Sequence, residues 1–253
     1  MSAGPGRLVI LTGPSCVGKS PLVHALRRLY PEVAAELQPV VLYNSRAPRP
    51  GEVDGVDYHF RSRAEIESLG EDSRHAVLEV RGDLQALDKV ALSGRLRHGD
   101  ALFEGNPFVA RLLQTLPLEG VRRLGIFVSP LSSDEVAFLR CAAGVSLPSL
   151  VCDVMRRKLL RRMRRQRGEL SLRDLEEVER RAGSAYAELA EAHRFGHVVP
   201  NHDGEDSEHW DAFYYPIGDA RRALLAVVGL LRDESPPGVE RWGDEVVPRV
   251  APA

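Results

Sequence analysis

The sequence is poor in cysteine, and it contains no long hydrophobic run. Its three cysteines, Cys16, Cys141 and Cys152, are too few for a disulfide framework in a chain of 253 residues. We therefore expect a reducing, cytoplasmic compartment. No stretch approaches the roughly 18 apolar residues that a membrane-spanning helix needs. The first apolar run, residues 8–11, is too short for a signal-peptide core. We expect a soluble protein that is not exported and has no membrane partner.

A large excess of charge of either sign is also missing. The 34 Lys and Arg residues nearly balance the 36 Asp and Glu residues, and the formal net charge is −2. This balance argues against binding nucleic acid through overall charge. Eight basic residues crowd into positions 156–167, but no aromatic side chain that could stack on a base stands among them. We expect no nucleic-acid partner.

What the sequence does contain is an alternation of short apolar segments with helical patterns, and 43% of its residues are hydrophobic. Such a content can fill a core and excludes wholesale disorder. Residues 7–12 suit a buried strand that ends at Gly13, and apolar residues recur at helical spacing over 19–29. Together with the segments below, this order predicts an α/β fold with a doubly wound, mainly parallel sheet and helices on both faces. Further strand candidates are 40–43, 76–80, 101–104, 123–128 and 197–199, and further helical candidates are 153–194 and 217–232.

The glycine turn after the first strand has the pattern G-x-x-x-x-G-K-[ST] of a phosphate loop. Glycines let the backbone N–H groups face one point, and the following helix adds its positive end. Lys19 is expected to reach the β- and γ-phosphates of a nucleotide, and the Ser20 hydroxyl to coordinate Mg²⁺. We interpret Cys16 as a tolerated small residue. The loop consists of Gly13, Pro14, Ser15, Cys16, Val17, Gly18, Lys19 and Ser20.

A second motif, at residues 45–60, places two arginines three positions apart, with one proline between them and one directly after the second, and follows them with a tyrosine. Arginine suits phosphate because its planar fork makes paired hydrogen bonds to phosphate oxygens. On the residues alone, Arg46, Arg49 and Tyr58 either grip the phosphate of a small molecule or form a solvated basic turn beside a buried Tyr-x-Phe pair.

With both motifs in place, the sequence resembles the guanylate kinases, which are P-loop nucleoside monophosphate kinases. The family pattern S/T-R-x-P-R-x-G-E-x-x-G-x-D-Y-x-F matches residues 45–60, and the resemblance covers most of 7–231, with an apparent insertion near 131–155. It implies that Arg46, Arg49 and Tyr58 hold the monophosphate of GMP. It also implies that Glu79 pairs with the N1–H and amino group of guanine, and that Glu104 lies close to the metal and the acceptor.

The resemblance further implies a mobile helical lid over residues 156–194. In this segment Arg181 fits the family's R-x-x-x-A-x-x-E-L pattern, and Arg167, preferred over Arg165, fits the other lid arginine. Both would stabilise charge on the transferring phosphoryl group. Asn201 and Asp203 match the family's Asn-x-Asp, which borders the adenine of ATP. Zinc-type spacing is absent from 201–211, so we interpret that segment as a solvated loop near the nucleotide.

The same resemblance predicts how the chain is divided. One domain spans 1–232, with a core at about 7–42, 101–155 and 195–232, a monophosphate-binding part at about 43–100, and the lid. Four prolines and a lack of periodicity predict a mobile tail over 233–253. We expect a monomer or a homodimer.

Two departures from the family pattern concern the base. Leu42 stands where a serine is expected, and residues 81–88 replace the family's Y-G-[ST] segment. Since a site that loses a hydrogen-bond donor discriminates less between bases, we expect GMP to be preferred by a narrower margin than the full family pattern would give, unless Gln85, Asp88 or Asn44 supplies a substitute polar group. The leading hypothesis is an ATP- and Mg²⁺-dependent guanylate kinase. The alternatives are a P-loop kinase of a different phosphorylated small molecule, and a non-catalytic module that binds a phosphopeptide, which would not need Lys19 and Ser20.

Overall fold

A computed structural model describes residues 6–49 and 51–248, and this part of the chain contains nine strands and ten α-helices. The strands are β1 Leu8–Thr12, β2 Leu37–Pro39, β3 Leu42–Asn44, β4 Tyr58–Phe60, β5 His75–Val80, β6 Asp83–Asp88, β7 Asp100–Gly105, β8 Arg123–Ser129 and β9 His197–Pro200. The helices are α1 Lys19–Leu29, α2 Pro31–Ala34, α3 Arg63–Leu69, α4 Lys89–Leu96, α5 Pro107–Thr115, α6 Ser133–Cys141, α7 Leu147–Arg167, α8 Leu172–Gly183, α9 Ala185–Leu189 and α10 Gly218–Leu231.

Five strands form a sheet in the order β2-β7-β1-β8-β9. The pairs β2–β7 and β8–β9 are parallel, and every residue of β1 is buried. A strand that is covered on both faces needs apolar side chains in both directions, which explains the unbroken run Leu-Val-Ile-Leu. The central position of the first strand and the helical crossovers confirm the predicted doubly wound, mainly parallel sheet.

A smaller sheet of four strands has the order β4-β3-β6-β5. Strands β3, β6 and β5 are antiparallel neighbours, whereas β4 lies parallel to β3. The turn from β5 to β6 consists of Arg81 and Gly82, both with positive φ (54° and 87°). Positive φ at both positions is what a two-residue turn requires if it is to follow the strand twist. The sequence pattern did not predict β6.

The described residues fall into two compact units, and each is described by itself. The first unit contains the described residues of Met1–Ile10, Glu36–Glu104 and Leu112–Leu124, and the second contains Leu11–Ala35, Gly105–Arg111 and the chain from Gly125 onward. The predicted monophosphate-binding part, 43–100, lies wholly in the first unit. The predicted phosphate loop and lid lie wholly in the second.

The long helical stretch predicted over 153–194 is three helices, α7, α8 and α9. Helix α7 ends because Gly168 adopts a positive φ of 72°, and α8 begins with a capping box in which Ser171 and Asp174 bond each other's backbone. The predicted insertion near 131–155 forms α6 and the start of α7. Helix α7 buries every fourth residue on one face, at Leu147, Val151, Met155, Leu159 and Met163.

The structure differs from the predicted mobile tail over residues 233–248. Trp242 and Val247 are each only 4% exposed, and Glu240 forms an antiparallel bridge with Val198 on β9. The Glu240 carboxylate also accepts hydrogen bonds from Trp242 Nε1 (2.5 Å) and from the Ser133 amide (2.9 Å). Prolines remove helical periodicity, but they do not prevent a segment from packing through an anchored indole. Residues 249–253 lie outside the described part.

Two further expectations can be compared with the described residues. None of their helices is both long and apolar enough to cross a membrane. All three cysteines are free thiols, with Cys16 buried, Cys152 partly buried and Cys141 exposed.

Candidate active site

The phosphate loop has the backbone conformation that its sequence predicts. Gly13 and Gly18 have φ of 146° and 99°, in the region that side chains rarely adopt. A Cβ on Gly13 would overlap the Val128 carbonyl oxygen, and one on Gly18 would lie 2.6 Å from Asn201 Nδ2. Both glycines are therefore needed for close approach as well as for their dihedral angles.

Lys19, the first residue of α1, folds back over the loop. Its ammonium group donates to the carbonyl oxygens of Gly13 (3.0 Å) and Pro14 (2.7 Å), and the residue is 7% exposed. This places a buried cation above the amino end of α1, where helix dipole and backbone N–H groups already favour an anion. Ser20 follows in the first helical turn and is partly exposed. The arrangement fits a polyphosphate with its Mg²⁺.

Helix α8 brings the predicted Arg181 to this loop. Arg181 is 7% exposed, and its Nε donates to Ser15 Oγ at 3.1 Å. Arg167 is placed differently. Its guanidinium donates to Asp174 at 2.6 Å, at the start of α8, and the described residues show no contact of Arg167 with the loop. Ending α7 at Gly168 turns Arg167 toward the helix cap, so the structure brings only one of the two predicted lid arginines to the phosphate loop.

Arg162 is a loop-side arginine that the sequence analysis missed. It forms an ion pair with Glu205, and its charge is among those that lower the pKa of Cys16 inside the phosphate loop. Its position relative to the apolar positions of α7 could have indicated this from the sequence. Arg162 stands three residues after the buried Leu159 and next to the buried Met163, so it borders the apolar stripe.

Cys16 itself is inert. Burial, together with the nearby carboxylate of Glu205, raises the pKa of its thiol to about 12, and the charge of Arg162 only partly opposes these effects. A thiol with such a pKa stays protonated at neutral pH and is a poor nucleophile. This agrees with its interpretation as a tolerated small residue.

Asn201 and Asp203, which were predicted to lie beside the adenine, pack against the phosphate loop. Asn201 is fully buried, and its Nδ2 donates to the carbonyl oxygens of Val17 and Asp203, each at 2.8 Å. The Asp203 carboxylate accepts from the Ala220 amide at 3.0 Å, inside the first turn of α10, and from His209 at 2.9 Å. Because these polar atoms are used within the protein, both residues position the loop and α10.

The acidic segment 201–211 is not simply solvated, because it pairs with the basic run of α7, in which Arg156 also pairs with Asp153 of the same helix. Four ion pairs join the two: Lys158 with Asp206 (3.6 Å), Arg161 with Asp206 (3.4 Å), Arg162 with Glu205, and Arg165 with Glu208 (2.9 Å). The charges that stand apart in the sequence therefore neutralise each other in space. Among the described residues, no group of three or more His, Cys, Asp or Glu could hold a metal ion.

In the first unit, the arginine-proline segment forms a preorganised cationic group. Both terminal nitrogens of Arg46 donate to the two carboxylate oxygens of Glu52 at 2.6 Å. The same guanidinium lies over the rings of Tyr58 (5.1 Å) and Phe60 (5.4 Å). Burial raises the pKa of Glu52, but the hydrogen bond from Arg46 and the amide of Arg49 outweigh it, and the net pKa is lowered. Glu52, which was not singled out from the sequence, therefore stays ionised and fixes Arg46.

Three more predicted residues belong to the same group. Arg49 lies 3.9 Å from the Glu52 carboxylate and donates its backbone N–H to it at 2.7 Å. Burial raises the pKa of the Tyr58 hydroxyl, the charges of Arg46 and Arg49 lower it, and that of Glu104 raises it. The structure thus brings Arg46, Arg49, Tyr58 and Glu104 together, with the tyrosine protonated as a hydrogen-bond donor.

Glu79 does not join this group, which corrects the sequence-based prediction. In the antiparallel pair β5–β6 it lies opposite Leu84, on the sheet face that packs against Ile66 of α3. Its carboxylate pairs with Arg63 of α3 at 3.1 Å, and both side chains are at least half exposed. Since side chains alternate between the faces of a strand, Glu79 projects away from the face that carries Tyr58.

Fold and phosphate loop together are those of a P-loop nucleotide-binding protein, and comparison with known proteins narrows this class. The guanylate kinase family model matches residues 5–85. The guanylate kinase of Mycolicibacterium paratuberculosis is 34% identical over 197 residues, 74% of this chain and 80% of that protein. That of Nocardia farcinica is 37% identical over 157 residues, 58% of this chain and 74% of that protein.

The fold agrees with this similarity. The crystal structure of guanylate kinase from Anaplasma phagocytophilum superposes with a TM-score of 0.51 and 16% identity, covering 91% of this chain and 87% of that one. The chain belongs to the guanylate kinase family.

Proposed function

We propose that this protein is an ATP- and Mg²⁺-dependent phosphotransferase that converts GMP and ATP into GDP and ADP. The supporting observation is the phosphate loop with the buried Lys19 folded over it and Arg181 on Ser15, in a member of the guanylate kinase family. A protein that only binds a phosphopeptide has no use for such a cradle. The non-catalytic alternative is therefore not favoured.

In the proposed reaction, an oxygen of the GMP phosphate forms a bond to the γ-phosphorus of ATP as the bond to the β–γ bridging oxygen breaks. Phosphoryl transfer of this kind needs positioning and charge stabilisation rather than a covalent protein intermediate. Lys19, Arg181 and Arg162 stabilise charge on the nucleotide phosphates. Arg46, Arg49 and Tyr58 hold the acceptor phosphate, with the Tyr58 hydroxyl as a neutral donor.

Ser20 is the residue that would hold Mg²⁺. One protein hydroxyl suits this ion, which keeps several waters and takes its remaining ligands from phosphate oxygens. When bound, the ion supplies charge neutralisation between the phosphates. Glu104, beside Tyr58, adds a carboxylate near the acceptor phosphate.

A coupled assay of ADP release across GMP, dGMP, IMP, AMP, CMP and UMP tests the proposal. We expect turnover with GMP that requires both ATP and Mg²⁺. Turnover of none of these acceptors would contradict the proposal and would favour a kinase of a different phosphorylated small molecule. The cytoplasmic location, the lack of a nucleic-acid partner and the monomeric or homodimeric state stay predictions.

A further inference from the structure

Two carboxamides share the sheet face that carries the acceptor-phosphate residues. Asn44 lies beside Phe60 in the parallel pair β3–β4 and opposite Gln85 in the antiparallel pair β3–β6. Residues that are paired in register project to the same side of a sheet. Gln85 and Asn44 therefore point to the side of Phe60 and Tyr58, whose rings the Arg46 guanidinium covers.

These carboxamides are buried and not fully used. Asn44 is 1% exposed and Gln85 is 8% exposed. Asn44 Oδ1 accepts the Arg46 amide at 3.1 Å, which fixes its orientation. Within the described part of the chain, neither Asn44 Nδ2 nor either polar atom of the Gln85 side chain makes a hydrogen bond. Neither side chain has a polar atom that is both fully buried and without a partner, so the amide groups that make no hydrogen bond reach the surface of this sheet face, where a ligand can contact them.

The spacing suits a nucleotide. Strand β6 lies two strands away from β4, which is about 10 Å at the usual strand separation. This is comparable to the span between the phosphate and the base edge of a nucleoside monophosphate. Leucines flank the carboxamides on the same face, with Leu78 opposite Gln85 and Leu42 beside Tyr58. An apolar surface with few fixed polar groups is typical of a site that binds a flat base.

We propose that Gln85, set beside Asn44, is the base-reading residue of the acceptor site and takes the role predicted for Glu79. This inference rests on the proposed function. A carboxamide offers a donor and an acceptor side by side. It can donate to the 6-oxygen of a purine and accept from N1–H, an edge that guanine and hypoxanthine share. The carboxamide makes no hydrogen bond with the 2-amino group of guanine, so the site selects 6-oxopurine monophosphates as a class.

The test measures kcat and KM for GMP, IMP and AMP in the full chain and in four variants. For the unaltered protein we expect GMP and IMP to agree within about tenfold in kcat/KM, with AMP lower. Gln85→Leu should raise KM for GMP and IMP by roughly 10²-fold with KM for ATP unchanged, since the lost contacts are polar and buried. Gln85→Glu should increase the preference for GMP over IMP about tenfold, because a carboxylate accepts from both N1–H and the 2-amino group.

Two matched variants replace the carboxylates that could read the base instead of Gln85. Glu79→Gln tests the opposite sheet face, and Asp83→Asn tests the acid that shares the face of Gln85 next to the β5–β6 turn. Both should change KM for GMP less than about twofold. Melting temperature distinguishes a loss of binding from a loss of structure. Gln85→Leu should melt at the same temperature or a few degrees higher, because it replaces an amide that makes no hydrogen bond within the described residues by an apolar side chain at a largely buried position.

An unchanged KM for GMP in Gln85→Leu overturns the inference, as does a large rise in KM in Glu79→Gln or Asp83→Asn. A lowered melting temperature with proportionate loss for all acceptors would show a structural role and also overturn it. These results leave the proposed function intact, provided the unaltered protein phosphorylates GMP. If it turns over no purine monophosphate, the proposed function fails and this inference fails with it.

Discussion

Arg46 is held in one orientation by another residue of its own segment. The two hydrogen bonds from its guanidinium to Glu52 fix the planar fork, and the rings of Tyr58 and Phe60 support its face. An arginine that is already ordered loses little side-chain entropy when it binds phosphate. Under the proposed function, we therefore expect the affinity for GMP to depend on Glu52 as well as on the residues that contact the phosphate.

Arg46→Ala should weaken GMP binding while leaving ATP binding nearly unchanged. Removal of one charged hydrogen-bonding partner costs about 2–4 kcal/mol. Titration calorimetry with each nucleotide checks this, with Arg61→Ala as the control. Arg61 directly follows the 45–60 segment but pairs with Asp54 at the surface. Loss of ATP affinity alone in Arg46→Ala would contradict the two-site arrangement.

Lys19→Ala should reduce kcat by on the order of 10³-fold or more, because the cation stabilises charge on the transferring phosphoryl group. Lys19 is buried, so Lys19→Met, which retains the length of the side chain, is the matched variant. Circular dichroism and melting temperature verify that both fold. Unchanged kcat in folded Lys19→Met would mean that the loop does not serve phosphoryl transfer.

The third prediction separates two arginines of one helix. Arg162→Ala should lower kcat by on the order of 10²-fold or more, since its charge acts at the phosphate loop. Arg167→Ala removes an ion pair at the start of α8 and should change kcat less than about threefold. Steady-state kinetics at saturating ATP and GMP measure both. The reverse order of effects would restore Arg167 as the lid arginine.

At the scale of elements, the sequence predicted helices and strands correctly where a pattern is compatible with only one structure. An aliphatic run, a glycine loop and a helical period could only give β1, the phosphate loop and α1. It failed for β6, because Asp83–Asp88 alternates too weakly to indicate a strand, and its pairing with β5 depends on the turn at Arg81 and Gly82. Strand pairing is set by turn geometry and burial, which a short segment does not reveal.

Prediction of the candidate site was limited in the same way, because side chains from distant segments meet only in the fold. Motif spacing predicted that Arg46, Arg49 and Tyr58 act together, and the structure brings them together because they share one segment. Glu79 was predicted to contact the base from its match to the family pattern, which does not reveal the face of the strand that it occupies; a shift of one residue in register reverses the direction of the side chain. Arg162 was missed because eight basic residues in twelve positions look alike without their partners. Only the fold shows that the acids of 205–208 face one side of α7.

At the scale of the whole molecule, the segment after α10 is part of the folded second unit. Its bridge between Glu240 and Val198 covers the outer edge of β9, the last strand of the five-stranded sheet. Unpaired strand edges promote association between molecules, and a covering segment prevents this. The Trp242 indole anchors the segment by packing and by its hydrogen bond to Glu240.

Trp242→Ala should therefore reduce the free energy of unfolding by about 3–5 kcal/mol, the usual loss for a buried tryptophan. Urea denaturation followed by circular dichroism measures this, and Tyr214→Ala is the control. Tyr214 is 79% exposed, and its loss should change stability by less than about 0.5 kcal/mol. A chain that ends at Arg232 should be destabilised at least as much, and light scattering should detect its aggregation through β9. If the shortened chain is monomeric and as stable as the full one, the segment packs without supporting the fold, and this prediction is wrong.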